Sequence, residues 1–367
     1  MGSSVSAQKS IELIIGLGVV LSLLTAGCQA AGVTDKTGSD VTVLRFATID
    51  GALDTNGQTI APRTFVDALG QVSGGRLTAT VQTLYENGAV NAETDIVKAI
   101  ASGDLDGGWP ATRAFSRAGI RGLEPIEAPL TLTSYAAQTA LVTGSAGPAL
   151  LETLENSGVV GLGLTVGALR RPWATAVPLV DVQNWRGVTF RSYNSPVQED
   201  TIRALGAIPI PASFRFPELI QAGSLQAVES DVAQYARNGY GTLLPQAVGN
   251  EVLWPRMTVL SMSQRRFDSL TSEQQEWVRQ AALQAVQASV DFDYDETTPA
   301  ATLCSQGVQF SEATPQQLAD LKRAVQPVLD ALDRDPITRP SLEEVLNVAT
   351  DFPTPDVVDV PASCRPS

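Results

Sequence analysis

The chain has 367 residues, is 44% hydrophobic and carries 39 acidic against 25 basic side chains, a formal net charge of -14. That balance disfavours nucleic acid and anionic lipid headgroups, because both are polyanions. There is no histidine, which removes Ser-His-Asp and Cys-His catalysis, every His-ligated metal site and the side chain best suited to proton transfer near neutral pH. No G-x-S-x-G elbow, C-x-x-C pair or P-loop occurs, and Ser6-Ala7-Gln8-Lys9 matches S-x-x-K only within an N-terminal targeting segment. Gly161-Leu162-Gly163 followed by Gly167 lacks the dinucleotide spacing. The acidic run Asp291, Asp293, Asp295, Glu296 lacks the central glycine and distal glutamate of a calcium loop. The expectation is a protein that is not an enzyme and needs no cofactor or metal.

In chain order, Lys9 precedes a twelve-residue apolar run, Leu13 to Leu24, and then Thr25-Ala26-Gly27-Cys28. The run is short for a hydrocarbon layer of ~30 Å, and small residues before a cysteine resemble a bacterial lipobox. Residues 1–27 are therefore expected to be a lipoprotein signal peptide, Cys28 the lipid attachment site and 28–41 a flexible tether. Val41 to Thr48 then reads as a strand, Pro62 to Val72 as a helix stopped by Gly74-Gly75, and Leu77 to Leu84 as a strand. Ala92 to Ser102 reads as a helix capped by Asn91 and ended by Gly103, and Leu105 to Trp109 as a strand. This βαβαβ order requires a mainly parallel sheet. A second α/β set starts near Val159. Ser195-Pro196-Val197-Gln198 opens one of its helices, Thr271 to Gln275 opens a long helix running towards Val290, and Thr314 to Gln317 opens another.

About 325 residues beyond the tether exceed one typical core. Two lobes are expected: 42–168 with 256–296, and 169–255 with 297–367. If Cys28 carries lipid, Cys304 and Cys364 remain as an even pair in a disulfide-permissive compartment, and a bridge between them would tie the proline-rich tail to the body.

The segment Gly187 to Asp231 carries the chemistry. Gly187-Val188-Thr189-Phe190-Arg191 places an arginine at a strand's carboxyl end, where open α/β sheets bind ligands, and a guanidinium offers a carboxylate two parallel hydrogen bonds. Arg191 is thus read as an anion-binding residue. Trp109, at the end of another strand, is a candidate wall of the same pocket.

Arg186 to Arg191, Leu205 to Pro211 and Gly223 to Ser230 together resemble the solute-binding subunits of TRAP transporters, the DctP family. Ser73 to Leu77, Ala99 to Asp106 and Glu127-Ala128-Pro129-Leu130 extend the resemblance across roughly residues 42 to 300. It implies a two-lobed, periplasmic-binding-protein-like fold with mixed, mainly parallel sheets and a long helix spanning the hinge. It also implies a second ligand-contacting arginine, either Arg170 or Arg171, a further one at Arg113, and an aromatic at Phe214. Ser230 stands where the family usually has asparagine, which points to a ligand differing from the common C4-dicarboxylates. The implied function is an extracytoplasmic receptor that captures an organic acid by cleft closure and delivers it to TRAP-type membrane subunits. Such a receptor is expected to be monomeric, to be anchored by lipid to the outer face of the cell membrane and to bind no nucleic acid. A binding protein serving an ATP-driven importer or a sensor kinase is the first alternative, and an extracytoplasmic enzyme the second.

Overall fold

Alternating burial along Thr42-Val43-Leu44-Arg45-Phe46-Ala47 makes this segment a strand with Leu44 and Phe46 turned inward (β1, Thr42–Ala47). The computed structural model to which it belongs describes residues 41–54, 56–214 and 216–365. The expected signal peptide, Cys28 and all of the tether but Val41 lie outside the described residues.

The helix Ile60–Val72 buries Phe65, Ala68 and Leu69 and leads into β2 (Leu77–Gln82), parallel to β1. The helix Ala92–Ser102 ends as expected at Gly103, which takes a left-handed φ of 79°. The next strand, β3 (Gly107–Gly108), is parallel to β1 on its other side. β4 (Val159–Thr165) completes the first pass through this lobe.

The chain then crosses at 166–168 into β5 (Leu169–Ala174), β6 (Thr189–Ser192), β7 (Ile208–Pro211), β8 (Ala227–Ser230), β9 (Gln246–Val248) and β10 (Trp254–Pro255). It returns for β11 (Thr258–Ser263) and crosses a third time, at 291–296, to reach β12 (Gln309–Ser311). The result is two sheets, ordered β2-β1-β3-β11-β4 and β12-β9-β5-β8-β6-β7, with β10 paired to β5.

Parallel pairing holds for β2-β1-β3 and for β8-β6-β7. β11 and β5 run antiparallel to their neighbours, because each is entered by a crossing between lobes and not by a βαβ turn. The expected strand Leu105 to Trp109 contracts to two residues, and both are glycines for a steric reason. A Cβ on Gly107 would lie 2.6 Å from the Ser261 carbonyl oxygen, and one on Gly108 2.7 Å from that of Ala47.

Two further expectations are corrected. The long helix, Ser272–Val290, does not span the hinge: Trp277, Val278, Ala281, Ala282 and Ala285 all join the core formed with Phe65 and Leu69. It stops at Asp291, and the irregular segment 291–296 makes the crossing. The stretch 297–367, expected to lie wholly with the second lobe, partly returns to the first. The helix Arg339–Asp351 packs on Tyr135–Thr143 and Ala146–Glu152, and Val345 enters the first lobe's core.

Capping follows the sequence closely. Thr271 with Gln274 and Thr314 with Gln317 form reciprocal capping boxes. Ser195 caps Pro196–Ala204, but Gln198 Oε1 accepts from the Tyr193 N–H, so that box is not reciprocal. Asn91 leaves its own helix uncapped, since its side chain accepts from Asn194 Nδ2 of the other lobe at 2.7 Å.

Candidate functional site between the lobes

Residues 189–192 form a four-residue strand between β8 and β7, and its third residue, Arg191, is buried at the carboxyl end. Arg191 Nη2 donates to the Glu229 carbonyl oxygen and lies 3.3 Å from Glu229 Oε1. The other oxygen of the same carboxylate, Oε2, is 2.8 Å from Arg170 Nε. Arg170 Nη1 continues to Asp231 Oδ2 at 2.5 Å and to Gln234 Oε1 at 2.9 Å. Glu229 therefore couples guanidinium groups from two strands. The neighbouring carboxylates hold the Arg170 charge against the burial that opposes it, leaving its pKa raised.

Successive strand residues point to opposite faces, so Arg171 leaves this group. Its Nη2 donates to Glu296 Oε2 at 2.6 Å, in the segment that crosses between lobes. The sequence leaves Arg170 and Arg171 as alternatives; the fold brings Arg170, through Glu229, to Arg191.

The first lobe supplies a matching set. Arg113 Nε donates to Glu93 Oε2 at 2.8 Å, and Arg256 Nη2 lies 2.9 and 3.1 Å from the two oxygens of Asp50. The Arg113 guanidinium stands 4.0 Å from the centroid of the Tyr193 ring, and that of Arg191 stands 4.4 Å from the same ring. Tyr193 thereby joins arginines from both lobes by cation–π contact. Close by, Ser195 Oγ donates to Glu127 Oε2 at 2.9 Å. Burial pushes the Glu127 carboxyl up to about 7, against the pull of Arg113 and Ser195. Through Ser195, Glu127 stands at the start of the helix Pro196–Ala204, where unpaired N–H groups favour an anionic group.

Further contacts cross between the lobes. Arg117 donates to the Asn194 carbonyl at 3.1 Å and to Glu199 at 3.0 Å, and Gln58 Nε2 donates to Asp231 at 3.3 Å. A cavity of about 220 Å³ opens between the lobes, lined among others by Asp50, Asp54, Gln58, Phe214 and Gln234.

Phe214 meets the other lobe directly. A Cβ on Gly88 would lie within 2.2 Å of its ring, so the ring covers a glycine backbone. Trp109, in contrast, packs in the core of the first lobe, its ring centroid 5.0 Å from Phe46 and 5.7 Å from Phe65, and is 1% exposed. Ser230 stands opposite Arg171 in the sheet; its Oγ donates to the Asp231 carbonyl at 3.3 Å and its own carbonyl accepts from Trp173 Nε1. No acid or tyrosine of this group was assigned a role from sequence, although Glu127 and Glu229 fall within the motifs that carried the resemblance. The strand-end rule that found Arg191 would also have found Asp50 and Asp231, which follow β1 and β8. Glu93, inside the first turn of a helix, carried no such signal.

Comparison with known proteins adds independent evidence. The chain is 25% identical over 236 residues to the C4-dicarboxylate-binding protein DctB of Bacillus subtilis, a match spanning 59% of this chain and 63% of that relative. The fold superposes with a TM-score of 0.74 on a TRAP periplasmic solute-binding protein from Ralstonia eutropha with bound (S)-2-acetolactate, at 19% identity, covering 84% of this chain and 99% of that one. The corresponding protein from Roseobacter denitrificans with bound β-D-glucuronate gives the same TM-score at 18% identity, covering 83% and 99%. Residues 46–335 match the DctP family, and the chain belongs to it: a bacterial extracellular solute-binding protein of family 7.

Proposed function

We propose that this chain is the extracytoplasmic receptor of a TRAP-type transporter, closing two lobes around a small carboxylate-bearing solute and presenting it to membrane subunits. The observation that carries this reading is a pair of buried guanidinium donors at the junction of the lobes. Arg191 Nε and Arg113 Nη2 have no hydrogen-bond partner among the described residues. A buried unpaired donor is costly, and a carboxylate is the group a guanidinium fork fits. Family membership and the ligands of similar proteins, a C4-dicarboxylate, acetolactate and glucuronate, support the same class. In this reading Arg191 and Arg170 from one lobe and Arg113 from the other surround the ligand, Phe214 shields it, and Arg171 and Ser230 support the crossing segment and the sheet.

The hinge includes 166–168, 256–257 and 291–296. Cys28 carries the lipid that holds the receptor at the outer face of the membrane, and the receptor acts as a monomer. Cys304 and Cys364, with Cα atoms 5.5 Å apart, form the bridge that ties down the tail. A thermal-shift screen of the purified protein against organic acids tests the reading, since a ligand at a hundred times its Kd adds about 2.7 kcal/mol. Stabilisation that is lost in Arg191→Ala is the expected result. A purified protein that no acid stabilises, or one that turns an acid over, would overturn it.

A further inference from the structure

Among the described residues, the arginines buried at the junction of the lobes already face carboxylates of the chain itself. Arg113, Arg170, Arg191 and Arg256 are each 5% exposed or less. Set among them are Asp50, Glu93, Glu127, Glu229 and Asp231, none more than 7% exposed. The pairs are close: Arg113 with Glu93 at 2.8 Å, Arg170 with Glu229 at 2.8 Å and with Asp231 at 2.5 Å, Arg191 with Glu229 at 3.3 Å, Arg256 with Asp50 at 2.9 Å. Among the described residues these four cationic groups stand against five acidic ones, or four when Glu127 holds its proton, and the remaining buried pair, Arg171 with Glu296 at 2.6 Å, adds one charge of each sign. A site built to attract a dianion would keep an excess of guanidinium charge, and this one does not.

The unsatisfied groups have both signs. Besides the donors Arg191 Nε and Arg113 Nη2, Glu93 Oε1 is a buried acceptor without a hydrogen bond among the described residues, 3.8 Å from Arg256 Nη2. The inter-lobe cavity is lined by Asp50, Asp54 and Phe214, with Arg237 the one cation among its described lining residues. Carboxylates next to an aromatic ring stabilise an ammonium and repel an anion.

We propose that the ligand of this receptor is a zwitterion, carrying a cationic nitrogen as well as its carboxylate and entering the cleft with no net charge. This deepens the receptor reading above and rests on it. The carboxylate end meets Arg191 and Arg113. The cationic end meets Glu93 and Asp50 of the first lobe. A dianion would add two negative charges to a buried cluster whose cations are already matched, and uncompensated charge in a dry interior is heavily penalised. A zwitterion leaves the balance unchanged and pairs both kinds of unsatisfied group. Charge therefore discriminates here between acids that a guanidinium alone would accept equally.

The test is calorimetry and thermal shift of the purified protein against two pairs matched in length, succinate with β-alanine and glutarate with γ-aminobutyrate, with glucuronate added to the anionic arm as a monoanion and glycine betaine to the other arm as a further zwitterion. β-Alanine is succinate with one carboxylate exchanged for an ammonium, so the pair isolates charge. The expected result is that a zwitterion binds at least tenfold tighter than its dianionic counterpart, and that Glu93→Gln narrows or reverses the ratio while Arg191→Ala weakens both arms. Dianions or glucuronate binding at least tenfold tighter than every zwitterion would overturn the inference and leave the receptor reading standing. A protein that binds neither arm but is stabilised by another anionic acid in the wider screen would likewise overturn the inference and leave the receptor reading standing, and one that no acid stabilises would overturn both.

Discussion

Glu127 offers a sharp physical test, because its carboxyl is buried where the lobes meet and titrates near neutrality. Its pKa of about 7 in the folded protein stands against an ordinary value of 4.5. The folded state thus holds this proton more tightly than the unfolded state does. Below pH 4.5 both states are protonated and the group takes nothing from stability. As pH rises from there the unfolded chain releases its proton first, and stability declines until the folded group ionises as well, above pH 7. At about 1.4 kcal/mol per unit, the full loss is about 3 kcal/mol. Other carboxylates titrate in the same range, so wild type must be compared with Glu127→Gln, which keeps the shape of the protonated acid and can still accept from Ser195 Oγ. The two proteins should unfold at similar temperatures near pH 5, and the variant should be more stable at pH 8 by a few degrees, the scale that about 3 kcal/mol represents for a chain of this size. Parallel melting curves of the two proteins from pH 5 to 8 would refute the reasoning.

Replacing Arg191 by alanine should weaken ligand binding by roughly 2 to 5 kcal/mol, about 30-fold to several thousandfold, with Arg191→Lys recovering part of the loss; calorimetry reads both. Because Arg191 also holds the Glu229 carbonyl and carboxylate, Arg191→Ala should melt earlier than wild type as well. Arg170→Ala should impair binding far more than Arg171→Ala. Both should lower stability, since Arg170 is paired with Glu229 and Asp231 and Arg171 with the largely buried Glu296 carboxylate. Mass spectrometry of unreduced mature protein should find Cys304 and Cys364 bridged. Cys364→Ser should cost about 4 kcal/mol in chain-entropy terms for a loop of this size, and two free thiols in the native protein would sink the assignment.

Those arginines show what a sequence can and cannot carry about such a site. Arg191 is legible because a β-branched run, a helix cap and a glycine stop fix where its strand ends, all within a few residues. Arg170 and Arg171 are not separable on that basis. A one-residue shift in a strand exchanges its faces, and what decides is the pairing of Arg171 with Ser230 and of Trp173 with Val228 across the sheet. Trp109 was placed at the correct strand end, but the two-glycine strand before it lets Phe46 and Phe65 close over the ring, a contact set by side chains far away in the chain.

The acids were hidden for a related reason. Glu127 finds Ser195 across 68 residues, Arg256 finds Asp50 across 206, and Arg171 finds Glu296 across 125, in each case through a crossing between lobes. A lone glutamate in a sequence reads as solvated surface, and only the fold reveals that it is buried beside a guanidinium. The net charge of the cleft is therefore a property of tertiary structure alone. Strand-end arginines identify a site for carboxylates, but it is the carboxylates brought to them from elsewhere in the chain that decide how much negative charge the ligand is allowed to bring. Two members of one family with the same arginines can thus select ligands of different charge, and a single substitution such as Glu93→Gln should move this protein from one class towards the other.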